Sequence, residues 1–334
     1  MIYTYVNRFG IFGHEKERES MEFGFYLPNH GPTSRPGPLA EIAQAGDENG
    51  FECMVVGDHI IVPKSIKSVY PYTIDGEFPG GDTGEYLEQL TLLSYLSGIT
   101  NRIKLVPSVM IVPYRNPILT AKILSTIDLL SNGRLILGVG VGWMEEEFKV
   151  MQSPPFNQRG KVTNEYLKIF KELWTSEKPE FKGEFYSFSD IQFLPKPIQK
   201  PHPPIWVGGQ SKAAIRRAVD LGDGWHPVGA IPAAPLEPSQ ISSELEYLKT
   251  YADSVDRDWS NMAIAMKAPL YDAQTDGANR RKFSGAESDI LEDISDYSKR
   301  GVTHIIFDMR STDLTQTKEK ISWFSENIIS QMEQ

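Results

Sequence analysis

Residues 133–143 read Gly133-Arg134-Leu135-Ile136-Leu137-Gly138-Val139-Gly140-Val141-Gly142-Trp143. The apolar run in this stretch shows no polar alternation, which is typical of a strand buried on both faces. Its last three glycines stand at alternate positions and therefore share one face of the strand. A face without side chains predicts a place where a large, flat ligand lies against the backbone. The alternative is that the glycines relieve crowding inside a barrel.

Strand and helix patterns alternate along the chain on both sides of this stretch. Besides 133–143, strands are predicted at 22–27, 51–57, 103–111, 205–207, 224–228, 262–270 and 303–308. This alternation predicts a single (β/α)8 barrel, with an open doubly wound sheet as the alternative. A short hairpin at 181–193 and five prolines within 195–204 predict an insertion after the fourth strand.

Composition excludes several classes of function. The chain has 334 residues and a net charge of −10, which argues against nucleic acid and anionic membranes as partners. Cys53 is the only cysteine, so no intrachain disulfide can form and a cytoplasmic location is expected. No apolar run is long enough to span a bilayer. Residues 1–20 do not form a secretory signal, and we interpret them as an N-terminal extension, or the result of an upstream start codon, before a single domain at 21–334.

Catalytic groups of such a barrel lie where its strands end. The second strand ends in Asp58-His59, and a carboxylate beside an imidazole can tune the histidine for proton transfer near neutral pH. The alternative is a buried structural pair. The fifth strand ends in Gly208-Gly209-Gln210-Ser211 before a helix, where exposed backbone N–H groups and the helix dipole favour a phosphate. The histidines have no metal-ligand spacing, so no metal site is predicted.

Together these motifs resemble the bacterial luciferase-like superfamily of flavin and deazaflavin oxidoreductases. The resemblance runs from about residue 21 to 228 and rests on four segments, which are 56–59, 113–122, 129–143 and 204–225. The segment from Gly142 to Phe148 is most similar to the branch of F420-dependent oxidoreductases.

The resemblance implies a luciferase-type TIM barrel that binds a reduced flavin or deazaflavin at the carboxyl ends of its strands. Asp58 would contact the cofactor ring and fix His59, which would act as the acid/base. Ser108 and Val109 would be joined by a non-prolyl cis peptide that supports the ring from behind. The remaining implied cofactor contacts are the lining residues Gly140, Val141, Gly142 and Trp143 and the phosphate-binding residues Gly208, Gly209, Gln210 and Ser211.

The leading functional prediction is hydride transfer between coenzyme F420 and a small organic substrate, with His59 as the proton donor or acceptor. The alternative is an FMN-dependent two-component monooxygenase that uses O2 on an alkanesulfonate- or aldehyde-type substrate. That alternative requires a separate flavin reductase as a partner. A third possibility is a flavin-binding barrel without catalytic activity.

The helix predicted at 116–130 is apolar over most of its circumference from 118 onward. A helix that covers a barrel normally needs only one apolar stripe. The surplus predicts a surface for a second copy of the chain, and the resemblance agrees, since superfamily members commonly form homodimers. The alternative is that the insertion of the same chain buries this surface.

Overall fold

The computed structural model of the protein describes residues 21–80, 84–271 and 280–332. The predicted extension at 1–20 lies outside the described residues, so the division into extension and domain stays a prediction. The barrel strands are β1 Glu22–Tyr26, β2 Cys53–Val56, β3 Lys104–Pro107, β4 Met110–Ile111, β5 Leu137–Gly140, β8 Ile205–Gly208, β9 Gly224–His226, β10 Ala263–Pro269 and β11 His304–Asp308.

All neighbouring barrel strands are parallel and follow the order β3-β2-β1-β11-β10-β9-β8-β5-β4. A parallel bridge between Leu105 of β3 and Leu135, just before β5, joins the two ends of this order. The sheet therefore closes on itself, which confirms the predicted barrel and excludes the open doubly wound alternative.

The third barrel strand is interrupted. It was predicted as one strand at 103–111, but β3 and β4 are separated by Ser108 and Val109, whose peptide bond is cis. β3 pairs with β2, whereas β4 pairs with β5. Nine segments thus form an eight-stranded barrel, because β3 and β4 together occupy one strand position. The interruption lies at the carboxyl end of the barrel, where the site is predicted.

Helices cover the outside of the barrel. They are α1 Pro36–Glu48, α2 Gln89–Ser97, α3 Pro117–Leu130, α4 Glu145–Val150, α5 Arg159–Thr175, α6 Lys212–Leu221, α7 Pro238–Ser254, α8 Glu287–Lys299 and α9 Leu314–Phe324, the last of which continues through Ser325–Ile329 into α10 Ser330–Met332. Within the described ranges, none of these helices combines the length and the apolarity that crossing a membrane requires.

The predicted insertion is present between α5 and β8. An antiparallel hairpin joins β6 Phe181–Lys182 to β7 Ser187–Phe188, with Phe181 opposite Phe188. Its turn is held by Glu165 of α5, whose carboxylate accepts hydrogen bonds from the backbone N–H groups of residues 184–186. The hairpin strands are shorter than predicted because the rest of 181–193 carries no strand partner among the described residues.

Two apolar layers stabilise the barrel. The larger layer lies between the sheet and the helices, and β1 contributes Phe23 and Phe25 to it. The smaller layer fills the barrel interior with side chains that include Cys53, Val106, Trp206 and Ile306. The apolar packing of the interior ends before the carboxyl ends of the strands, where polar side chains line the barrel instead.

Helix α3 keeps part of its apolar surface in solvent. Ala121, Leu124 and Ile127 are buried, whereas the relative exposure is 59% for Leu119 and 62% for Leu130. The insertion packs beside this helix, since Lys122 donates to the backbone oxygen of Leu194, but it does not cover those two leucines. Burial by the insertion therefore explains only part of the apolar surface.

Candidate functional site

His59 lies just beyond β2 at the carboxyl end of the barrel, and its partner is Glu147 of α4. Nδ1 of His59 is 2.9 Å from Oε2 of Glu147, and the glutamate side chain has no solvent exposure. The same carboxylate accepts hydrogen bonds from the hydroxyl of Tyr114 and from the backbone N–H groups of Ile60 and Ile61. Because the carboxylate only accepts, His59 donates from Nδ1. Its Nε2 atom has no hydrogen-bond partner among the described residues and remains able to exchange a proton.

Asp58 has a different partner from the one predicted. Its carboxylate forms a bidentate pair with Arg115, at 2.7 and 2.8 Å, and also accepts from the backbone N–H of Ile111. Arg115 in turn donates to Glu88. The prediction that Asp58 fixes His59 is therefore wrong, since Asp58 anchors the segment after the strand interruption and Glu147 orients the histidine. The Asp58 side chain is fully buried, and both of its oxygens are engaged in these contacts.

Aromatic side chains from the long loop after β2 enclose His59. The ring centroids of Phe78 and Tyr86 lie 4.7 and 5.2 Å from the imidazole. The ring centroid of Trp143 lies 6.3 Å from the imidazole, and Trp143 also contacts Tyr70 at 5.0 Å and Phe78 at 5.4 Å. We call Tyr70, Tyr72, Phe78, Tyr86 and Trp143 the aromatic cover. The loop is therefore a wall of the site, and it meets the predicted lining residue Trp143.

The glycines in and after β5, the fourth barrel strand, are in contact with neighbouring side chains and backbone. A methyl group on Gly140 would overlap Cγ2 of Val109, and one on Gly138 would overlap the backbone oxygen of Pro107. Gly142 follows β5 with φ of 86° and faces Phe148. The predicted bare glycine face is therefore wrong, and crowding inside the barrel, the alternative, accounts for these residues.

Val109 forms the floor of the site. Its two methyl groups lie where side chains on Gly140 and Gly208 would stand, so it packs directly on the backbones of β5 and β8. Only glycine permits this close approach. Segments that are distant in the sequence thus meet at the strand interruption, and the cis peptide implied by the resemblance is present there.

A directed hydrogen-bond chain runs beside this floor. Nδ1 of His226 is 2.5 Å from the backbone oxygen of Ala265 and must donate to it. Burial lowers the pKa of His226 to about 3, so the ring is neutral and its Nε2 accepts from the Ser108 hydroxyl at 2.9 Å. The single hydroxyl proton of Ser108 is thus used on His226, which fixes the direction of this chain.

The predicted phosphate turn lies at the start of α6. Gly209 has φ of 106°, which a side chain would strain, and its carbonyl accepts from the indole of Trp225 at 2.8 Å. Ser211 caps α6 by accepting from the backbone N–H of Ala214. The Gln210 side chain donates to the backbone oxygen of Val228. These contacts fix the turn, and none of them places a carboxylate in it. The turn is therefore compatible with a bound anion, because no carboxylate of these contacts would repel it.

Sequence reasoning missed several groups of this site. Glu147 is one of three glutamates in the first turn of α4, and nothing in that run of the sequence distinguishes the buried member. Arg115 lies within the segment 113–122, which carries no signal for its partner. Tyr26 ends β1, Lys267 lies two residues before the end of β10, and Arg310 lies two residues after β11. Their position near strand ends was the only available signal.

Comparison with known proteins fits this geometry. The family model of the luciferase-like monooxygenases matches residues 21–314. The chain belongs to the luciferase-like monooxygenase family. Its members are oxidoreductases, and the resemblance drawn from the sequence motifs is confirmed.

Relatives within the family differ in cofactor. An uncharacterised protein of Mycobacterium tuberculosis is 34% identical over 211 residues, 63% of this chain and 67% of that protein. The FMNH(2)-dependent dimethylsulfone monooxygenase of Pseudomonas putida is 30% identical over 188 residues, which cover 56% of this chain and 47% of the relative. The F420-dependent glucose-6-phosphate dehydrogenase of Amycolatopsis mediterranei is 30% identical over 193 residues, 57% and 53% of the two chains.

Solved structures share the fold over almost the whole chain. A monooxygenase from Streptomyces bottropensis superposes with a TM-score of 0.74 at 22% identity, over 93% of this chain and 99% of the other. An F420-dependent secondary alcohol dehydrogenase superposes with a TM-score of 0.71 at 17% identity, again over 93% and 99%. At these identities the structural comparison supports the barrel fold alone and does not identify the cofactor.

Proposed function

We propose that this protein is an F420-dependent oxidoreductase that transfers hydride between the deazaflavin and a small organic substrate. The observation that carries the proposal is the pair of His59 and Glu147. The imidazole is 15% exposed, is held through Nδ1 by a buried carboxylate, and presents Nε2 at the carboxyl ends of the barrel strands. That arrangement suits proton transfer at a substrate oxygen.

The residues at the mouth of the barrel fit a flat cofactor with a phosphate. Val109 would support the ring, Trp143 would line it, and the Gly208–Ser211 turn at the start of α6 would hold the phosphate. When bound, the deazaflavin supplies or accepts the hydride. His59 gives or takes the proton at Nε2, Glu147 fixes the imidazole, and the aromatic cover excludes water. Asp58 positions the backbone at Ile111.

The second candidate function is an FMN-dependent monooxygenase served by a separate flavin reductase. It is favoured by the Pseudomonas relative, whose identity to this chain equals that of the F420-dependent relative. Fluorescence titration with F420 and with FMN, each oxidised and reduced, separates the two. Tight binding of F420 with weak binding of FMN supports hydride transfer. Preference for reduced FMN, with oxygen consumption, supports the monooxygenase.

The variant His59→Ala tests the proton role. We expect kcat to fall by about 100-fold or more, while the Kd for the cofactor changes by less than about twofold. His202→Ala is the control, because His202 precedes β8 at the opposite end of the barrel. Unchanged turnover, or a loss confined to cofactor binding, would contradict the role of His59.

We also infer that the protein forms a homodimer through the exposed face of α3. Leu119, Leu129 and Leu130 are exposed on this helix, and Leu194 of the insertion is 67% exposed. Exposed apolar groups of this number favour a partner surface. Light scattering should give twice the chain mass, and Leu119→Glu with Leu130→Glu should give the monomer. A monomeric wild-type protein would contradict the inference.

A further inference from the structure

Lys267 is a buried lysine that faces the barrel interior at the carboxyl end of β10. Ala265, two residues earlier on the same face, belongs to the interior layer, and Lys267 is only 8% exposed. Its ammonium group forms no hydrogen bond or ion pair with the residues that the structure describes. An unpaired charge in such a place costs free energy, and proteins normally provide a partner.

The neighbours of Lys267 do not neutralise it. Its Nζ atom lies 5.9 Å from the ring centroid of Tyr26, and the guanidinium of Arg310 lies 5.0 Å from the same ring. Arg310 is paired with Asp308 through two hydrogen bonds of 2.8 and 2.7 Å, so that pair carries no net charge. His226 is neutral, as argued above. Among the residues that the structure describes, no negative group compensates the ammonium group of Lys267 in this corner of the site.

The charge count selects the class of ligand. One free ammonium matches a singly charged group, whereas a phosphate ester with two charges would leave a negative charge buried beside Asp308. The unpaired ammonium group of Lys267 therefore matches a ligand with one negative charge better than a ligand with two.

We propose that Lys267 binds a singly charged anionic group carried on an apolar or planar body. The proposal rests on the proposed function for the source of the anion, which is either a carboxylate of the substrate or the ring of the reduced cofactor. Both sources would bring one negative charge to the ammonium group of Lys267. Burial lowers the pKa of Lys267, and an anion beside the ammonium group would raise that pKa again.

The test compares wild-type protein with Lys267→Met, which keeps an unbranched side chain of similar size and removes the charge. Benzoate is the probe for a planar monoanion, and sulfate is the probe for a dianion. Both are titrated against the fluorescence of the free protein, in which Trp143 reports on the site. Lys249→Met is the matched control, because Lys249 lies over Trp259 on the outside of the barrel. Oxidised and reduced cofactor are titrated separately.

Two results support the proposal and distinguish the sources. A loss of benzoate affinity of about tenfold or more in Lys267→Met, with unchanged cofactor affinity, identifies a substrate carboxylate. A similar loss confined to the reduced cofactor identifies its ring. Three results overturn the proposal. The first is that Lys267→Met binds benzoate and the reduced cofactor as tightly as the wild-type protein does. The second is tighter binding of sulfate than of benzoate, and the third is the same loss of affinity in Lys249→Met.

The experiment also separates this proposal from the proposed function. If the wild-type protein binds neither F420 nor FMN, the proposed function fails, and the benzoate titration still decides the role of Lys267. A thermal melt of Lys267→Met guards against misfolding, and removal of a buried charge should leave Tm unchanged or raised. If this variant melts early, Lys267→Gln is used for the same titrations.

Discussion

Oε2 of Glu147 lies 2.9 Å from Nδ1 of His59, although the two residues are 88 positions apart in the chain. The glutamate is fully buried and accepts four hydrogen bonds, from one imidazole, one phenol and two backbone N–H groups. A carboxylate suits this role because it only accepts. We therefore regard Glu147 as the positioning residue for His59.

Glu147→Gln should lower kcat by about 10- to 100-fold, because the amide NH2 would face donors and release the imidazole from its orientation. Cofactor Kd should change little. The measurement is steady-state turnover over a range of pH, together with cofactor titration. Glu145→Gln on the same helix is the control, since Glu145 is 45% exposed and pairs only with Lys149 on the surface. Wild-type turnover in Glu147→Gln would assign the contact a purely structural role.

Asp58→Asn should destabilise the protein by about 3 kcal/mol, because Arg115 would lose its bidentate carboxylate while remaining largely buried. Glu88 retains one contact with Arg115 and moderates the loss. The free energy of unfolding in urea is the measurement. Arg35→Met removes the exposed pair with Glu85 and should cost less than about 1 kcal/mol. Equal losses in the two variants would refute the assigned importance of the buried pair.

Gly140→Ala should cost about 1–3 kcal/mol, because the new methyl group overlaps Val109. The double variant Gly140→Ala with Val109→Ala should recover much of this loss, since the truncated side chain frees the space. Thermal and urea unfolding measure both effects. Gly37→Ala is the control, because a methyl group there meets no atom within 4 Å. Additive losses in the double variant would show that Val109 is not the obstacle.

His226 should make the fold sensitive to acid. Its pKa is lowered by burial from 6.5 to about 3, so the unfolded chain binds a proton that the folded protein excludes. The contribution of His226 is complete above pH 6.5 and is lost as the pH falls toward about 3. Between about pH 6 and pH 4 it should reduce the free energy of unfolding by about 1 kcal/mol per pH unit.

His226→Gln tests this dependence, since the amide keeps one donor and one acceptor without a titrating group. Urea unfolding at several pH values should show a shallower decline for the variant over that window, whatever its stability at pH 7. Parallel declines in the two proteins would mean that other groups, such as the buried His304, control the loss.

Local sequence patterns determined the architecture. The alternation of apolar strands and amphipathic helices predicted eight barrel strands. All eight strand positions are occupied, and the insertion after the fourth is present. Helix α3, at Pro117–Leu130, begins one residue after the predicted start of 116–130 and ends at the predicted residue. These features depend on periodicity and on turn and cap residues, which act over a few positions and are visible in the sequence alone.

Only the tertiary structure decided which side chains meet. Asp58 and His59 are adjacent in the chain, yet one pairs with Arg115 and the other with Glu147. Gly140 of β5 similarly makes room for Val109 from the preceding barrel strand. The physical reason is the closure of the barrel, which brings residues from distant segments to the same end. Hydrogen-bond partners and steric limits there depend on three-dimensional distance, which periodicity along the chain does not encode.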